Sequence, residues 1–409
     1  MTQSNQPPST SHLPLSTKLF WISILYFAQG FPFGIVYDNL PVYFRIHGVS
    51  LTEIGLMGLI GMPWALKVFW SPLVDRLGHH RLWVVSCLLT MAVILYLLPF
   101  LPADNPSALL WAAMLLFTIA SATQDIAIDA YGIRLVASGE EGIANGVRAS
   151  AGRVGLIASG GGLVILSDWL GWTGVFHAGA GLLVLLAVLA WRTPALPALQ
   201  VETAKDWFQA LLRWLTQPGA PMVFLFVLTF KLADASMGPM VKPFWVDSGL
   251  TVKEIGTIST TLGAILSIAG ALLGGLFISR WGIFHGLWTL GLLQAVSNLG
   301  YAAVAAFDGG RLGIYGASVC ESFTGGLGTA AFLAFLMHIC DKRRAATEYA
   351  LLSALFGFTR QLAGTFSGWG TDHLGYATYF ALTFFLAFPS FALLPWVKPW
   401  ADRRMDASG

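Results

Sequence analysis

Charge is what this sequence has least of. Only 11% of its 409 residues are Asp, Glu, Lys or Arg, while 56% are hydrophobic. Soluble domains carry roughly 25% charged residues, so this chain holds more apolar surface than a soluble core can bury, and it offers no basic face for nucleic acid. Cysteine is scarce too. Cys87, Cys320 and Cys340 each lie in or at the end of an apolar run, with no second cysteine nearby and no metal-ligand spacing. They read as packing residues, and no metal site or cofactor is indicated. The ten-residue alternation of barrel strands is missing. Also missing are H-E-x-x-H, a catalytic Ser/His pattern and an Asp-rich polyprenyl-phosphate run, which argues against an enzyme, including an intramembrane one. Residues 1–17 contain no Lys, Arg, Asp or Glu. Lacking also a short apolar core with a cleavage site, they read as a disordered cytoplasmic tail rather than a signal peptide.

What is present is a succession of long apolar runs. About 20 consecutive apolar residues cross a bilayer core, and such runs lie near 18–44, 51–73, 82–101, 108–131, 142–166, 172–192, 220–246, 251–278, 284–306, 312–339, 346–368 and 375–397. Backbone polar groups in lipid demand helices here. The expectation is therefore an all-α membrane protein with twelve transmembrane helices. Orientation follows from Lys and Arg in the connections. With the N-terminus inside, that side receives Lys18, Arg76, Arg81, Arg134, Arg192, Lys205, Arg213, Arg280, Lys342, Arg343, Arg344, Lys398, Arg403 and Arg404. The other side receives Arg45, Lys242, Lys253 and Arg311. Fourteen against four puts both termini in the cytoplasm.

The chain divides and repeats. Residues 193–218 hold three prolines, several charges and the amphipathic patch D-W-F-Q-A-L-L-R-W-L (206–215), which is suited to lie along the membrane surface. This linker separates an N-terminal bundle (18–192) from a C-terminal bundle (219–397), with a cytoplasmic tail at 398–409. H-G-V-S-L-T-E-I-G (47–55) is echoed by S-G-L-T-V-K-E-I-G (248–256), and S-P-L-V-D-R-L-G (71–78) by G-G-L-F-I-S-R-W-G (274–282). Six helices repeated as six, joined by a cytoplasmic linker, is the architecture of the major facilitator superfamily, whose halves rock about a midplane site. D-R-L-G-H-H-R (75–81) resembles the superfamily signature between helices 2 and 3, departing from it at Ser71, His79 and His80. By that resemblance Asp75, Arg76 and Arg81, with Arg280 in the repeat, are gating residues.

Ionisable residues inside the membrane cost about 2.5–3.5 kcal/mol each on insertion scales, so each needs a reason. Asp125 and Asp129, four apart, share one helix face. If ionised together they repel, so one can hold a proton; Asp125 is a candidate for proton or substrate handling. Asp129 either joins it or pairs with Arg81 or Arg134 at the gate. Asp38, the third proton-coupling candidate, lies in F-A-Q-G-F-P-F-G-I-V-Y-D-N-L-P (27–41), a helix expected to be interrupted at Pro32 and Pro41. Lys67, Arg148, Arg153 and Arg360 favour an anionic solute, since arginine grips carboxylates bidentately; the competing reading pairs them with Asp38 or Asp125. Arg148 and Arg153, five apart, point in roughly opposing directions, so one at most is expected to face a cavity. Lys231 and Asp234 are expected to neutralise each other and to border the site. Glu321 opens a glycine-rich stretch suited to tight packing and completes the candidate ligands with Trp64 and Trp245, whose rings can stack on sugars.

G-V-S-L-T-E-I-G-L-M-G-L-I-G-M-P-W-A-L-K-V-F-W-S-P-L-V-D-R (48–76) and A-T-Q-D-I-A-I-D-A (122–130) resemble the muropeptide permease (AmpG) family. So do L-Q-A-V-S-N-L-G-Y (293–301), G-G-L-G-T-A-A-F-L-A-F-L-M (325–337) and A-T-E-Y-A-L-L-S-A-L (346–355). The resemblance covers nearly the whole chain, and its most specific element is S/T-Q-D-x-x-x-D-A. It implies a bacterial inner-membrane importer of anhydromuropeptides (N-acetylglucosamine–anhydromuramyl peptides) for cell-wall recycling, driven by protons through alternating access and working as a monomer. Asp125 and Asp129 match the motif aspartates and Lys67 a motif lysine. The sequence departs from the family in lacking the extra C-terminal helices of many members. Compact relatives import siderophores such as pyochelin and rhizobactin, the alternative function; the broader group includes acetyl-CoA transporters.

Overall fold

A computed structural model describes residues 13–71, 73–74, 79–104, 106–136, 140–194, 216–339 and 345–402. Among them every regular element is helical. Nine segments are long and apolar enough to cross a bilayer. Two of these, Val147–Trp191 and Ala354–Ala401, turn at Gly171 (φ 65°) and Gly375 (φ 72°), a conformation that favours glycine. Each therefore comprises two helices, and with the shorter apolar helix Leu51–Leu66 the described residues are consistent with the twelve expected. We number them α1 Leu15–Ile46, α2 Leu51–Leu66, α3 His80–Phe100, α4 Ala108–Leu135, α5 141–170 and α6 172–191, followed by α7 Ala220–Asp247, α8 Val252–Trp281, α9 Ile283–Ala306, α10 Gly310–His338, α11 345–374 and α12 376–401.

The internal repeat is visible in how α2 and α8 begin. Ser50 accepts from the Glu53 amide while Glu53 returns to the Ser50 amide, and Thr251 and Glu254 do the same. These reciprocal pairs satisfy backbone donors that would otherwise be orphaned where a helix starts. The S-L-T-E and T-V-K-E strings are thus the same device used twice.

Contacts sort the chain into two compact units. The first holds Met1–Tyr43 and Leu66–Glu202. Within it, α1 and α5 touch backbone to backbone. A Cβ at Gly30 would overlap the Gly152 carbonyl oxygen, and one at Gly155 the Phe27 carbonyl. The second unit holds Phe44–Ala65 and Thr203–Gly409, so α2 is sorted with it. The reason is again glycine: a Cβ at Gly58 would come 2.6 Å from the Gln361 carbonyl oxygen of α11, and one at Gly55 2.6 Å from the Gly368 nitrogen. Small residues allow helices to approach closely where no hydrophobic drive acts between them. The glycine-rich stretch after Glu321 does this too, for a Cβ at Gly326 would overlap the Ser267 carbonyl of α8.

One expectation is corrected here. Residues 27–41 are not an interrupted helix. Pro32 is carried inside α1, and the chain passes through a π-helical turn, Ile35–Asn39, before resuming at Leu40. A second π-turn, Ala158–Gly162, lies in α5, and the Asn39 amide donates to the Ser159 carbonyl it leaves available. Such turns free backbone acceptors and often mark functional positions. The amphipathic patch 206–215 lies outside the described residues, as do Asp75 and Arg76.

Candidate functional site

In the first unit, α4 carries Asp125 and Asp129 on one face, and three other elements bring groups to them. Lys67, on the short turn after α2, places its ammonium 2.9 Å from Asp125 and 4.0 Å from Asp129. Arg148 of α5 reaches Asp129 at 3.0 Å. Tyr26 of α1 donates its hydroxyl to the same carboxylate at 2.8 Å, and its ring lies 4.6 Å beneath the Arg148 guanidinium. Asp125 is only 4% exposed, and among the described residues its second oxygen, Oδ1, accepts no hydrogen bond. The Lys67 side chain is 31% exposed. Two carboxylates thus hold two cations in a site that is sealed at Asp125 and open at Asp129.

Asp129, Arg148 and Tyr26 border a cavity of about 630 Å³ with Gln29, Phe33 and Arg153. This corrects two expectations. Arg148 and Arg153 both line the cavity, on the one face of α5 that also brings Ala149, Gly152 and Leu156 to it. Asp129 does not pair with Arg81 or Arg134: Arg81 donates to the Thr193 carbonyl at 3.2 Å and lies over Trp191, and Arg134 meets His80 at 3.2 Å. For Lys67, the pairing with Asp125 is the arrangement observed. Asp38 sits half-buried in the π-turn of α1. Arg280, over Trp281, is exposed.

The second unit has its own buried charges. Lys231, 3% exposed, occupies the break between the two α-helical stretches of α7. It donates to the Gln294 side chain at 2.8 Å and meets Asp234 at 3.4 Å, as the spacing leads one to expect. Glu321 of α10 lies within electrostatic reach of Lys231, Asp234 and Lys242. Arg360 is exposed on α11, near enough to act on Lys231. Trp64 is buried. Trp245 offers no surface to a sugar: it is 0% exposed, donates to the Tyr301 hydroxyl at 3.3 Å and stacks against Tyr315.

Sequence reasoning missed several groups. Lys242, assigned above to an outer connection, is buried inside α7 and donates to Thr260 at 2.6 Å. Its place within the run 220–246 was the available signal. Gln294 and Asn298, four apart in an apolar helix, were visible in L-Q-A-V-S-N-L-G-Y. Tyr26 gave no signal, since an aromatic in a membrane helix is unremarkable.

Membrane-spanning helices in two units, with charges paired on the border of a cavity, define a multi-pass membrane carrier. The family model of the Major Facilitator Superfamily matches residues 22–364. The chain is 32% identical over 384 residues to the anhydromuropeptide permease of Escherichia coli (strain K12), covering 91% of this chain and 78% of that one. It is 26% identical over 402 residues to the putative transporter AmpG 4 of Rickettsia conorii, covering 93% and 96%. Among solved structures, the nucleoside transporter NupG superposes with a TM-score of 0.73 at 16% identity (95% of this chain, 100% of that one). A D-xylose-proton symporter gives 0.73 at 11% (94% and 98%). At these identities the structures speak to the fold alone. The chain belongs to the Major Facilitator Superfamily, in the AmpG-like permease family, and is a transporter, not an enzyme.

Proposed function

We propose that this protein imports anhydromuropeptides across a bacterial inner membrane, by proton-coupled alternating access, as a monomer with both termini in the cytoplasm. The observation that carries the reading is the pair of cation–carboxylate contacts on the first unit's cavity: Lys67 with Asp125 and Arg148 with Asp129. A carboxylate-bearing ligand competes with Asp129 for Arg148, and the planar guanidinium suits it for bidentate capture. Arg153 adds a second guanidinium on the same cavity. Lys67 cannot serve a ligand while Asp125 holds it, but a proton on Asp125 releases it. Solute and proton are then loaded together, because each lowers the cost of the other.

The name of the Escherichia coli relative supports the solute class, and the carboxylates of a muropeptide suit the three cations. The test is uptake of labelled anhydromuropeptide and of ferric pyochelin, side by side, in cells lacking their own permeases, with and without an uncoupler. Uncoupler-sensitive entry of the muropeptide is expected. Entry of the siderophore alone would refute the solute assignment, and uncoupler-resistant entry the coupling.

A further inference from the structure

Each unit brings membrane-spanning charges together: Lys67, Arg148 and Arg153 with Asp125 and Asp129 in one, Lys231 and Lys242 with Asp234 and Glu321 in the other. They differ in how the acids are answered. Asp125 and Asp129 each have a cation within 3.0 Å, and Asp234 has Lys231 at 3.4 Å. Glu321 has one polar contact, the Ser322 hydroxyl at 3.4 Å, and no ion pair among the described residues. Two lysines act on it from a distance, but their ammonium groups are engaged elsewhere. Lys231 is bonded to Gln294 and Asp234, and Lys242 to Thr260 and Ser259. Tyr301 and Asp234 complete the titratable groups around it.

A buried carboxylate without a counter-ion is costly, whereas the neutral acid is not. Glu321 is half-buried, so it remains open to exchange. We propose that Glu321 is not a solute ligand, as its place in the sequence suggested, but a second proton-binding site, separate from the anion-binding cluster of the first unit. The proton adds to a carboxylate oxygen and leaves from it, with no other bond changed. With the proton on, Lys231 stays with Asp234. With the proton off, the new carboxylate competes with Asp234 for Lys231, and the break in α7 at that residue is where the shift is felt. Asp234 can bear this, because it borders a cavity of about 10 Å³, room for one water. Gln294 Nε2 and Asn298 Oδ1, on residues lining the same cavity, have no hydrogen-bond partner among the described residues.

The proposal rests on the proton-coupled reading above, and the experiment separates the two. The full chain is reconstituted in proteoliposomes as wild type, Glu321→Gln and Glu321→Asp. Infrared difference spectra across a pH step need no solute. One component of the carboxylic C=O band is expected to vanish in Glu321→Gln and to return, with a moved midpoint, in Glu321→Asp. Accumulation of labelled anhydromuropeptide at steady state is expected to follow the square of the imposed proton gradient in wild type and its first power in Glu321→Gln, with solute exchange at equal pH retained in both. An unchanged C=O band, or the same gradient dependence in both proteins, overturns the proposal. If Glu321→Gln does not fold, an unmoved band in Glu321→Asp overturns it as well. If wild type neither exchanges nor accumulates the solute, the transport reading fails, and the infrared arm still decides the site.

Discussion

Removing either partner of the Lys67–Asp125 pair should cost stability unequally, and removing both should restore most of it. Breaking a buried ion pair costs about 3–5 kcal/mol, because the survivor is left charged and unsolvated. Lys67→Met leaves Asp125, 4% exposed and with no hydrogen bond to Oδ1 among the described residues, as that survivor. The loss should be about 3 kcal/mol or more. Asp125→Asn leaves the lysine, which is 31% exposed and has Asp129 4.0 Å away to fall back on. That loss should be about 1–2 kcal/mol, since a partly solvated pair is worth less. The double variant has no stranded charge and should lose only about 1 kcal/mol, so the cycle should show a coupling of about 3 kcal/mol, at the top of the range for contacting residues. Unfolding followed by tryptophan fluorescence in nanodiscs reads all four proteins. Additivity within about 0.5 kcal/mol, the behaviour of independent sites, would refute the pairing. Uptake read on the same samples addresses the proton: gradient-driven uptake and pH dependence unchanged in Asp125→Asn would remove Asp125 from coupling.

Tyr26→Phe deletes the hydroxyl that donates to Asp129 at 2.8 Å while keeping the ring under Arg148. It should weaken solute binding several-fold, about 1 kcal/mol for one hydrogen bond, with thermal stability little changed; equal affinity would take Tyr26 out of the site. Gly30→Ala puts a Cβ onto the Gly152 carbonyl oxygen, where only backbone can yield, so folded protein recovered from membranes should fall steeply. Recovery at the wild-type level would refute the close α1–α5 contact. Arg45→Gln removes a bidentate pair with Asp247, at 2.6 Å to each oxygen, but Tyr376 still donates to that carboxylate. The pair is partly exposed, so the loss should stay near 1 kcal/mol or below, checked by thermal unfolding.

The fold was legible because its signals are long and redundant. Twelve apolar runs must be helices in lipid, and the repeat of S-L-T-E as T-V-K-E marks the same helix start twice. The site was legible only in part, and the residues show why. An ionisable side chain in an apolar run announces itself, so Lys67, Asp125, Asp129, Arg148, Lys231 and Asp234 stood out. What periodicity could not supply was which of them meet. Asp129 is near Arg134 along the chain, yet it bonds Arg148 and Tyr26, brought to it from α5 and α1 by glycine-mediated packing. Pattern also failed where the backbone departed from 3.6 residues per turn. The π-turn at Ile35–Asn39 lies between two prolines that read as breaks, and it sets Asn39 against Ser159 in the π-turn of α5. A π-turn inserts a residue and rotates everything beyond it, so a helical wheel drawn through residues 27–41 mis-assigns the faces after Gly34. The faces of Asp38 and of Glu321 were therefore not equally knowable: α10 is regular from Gly310 to His338, and α1 is not. The strongest inference from sequence in this chain attaches to charges on regular helices. Asp38, inside the π-turn, is the charge whose face the wheel could not assign.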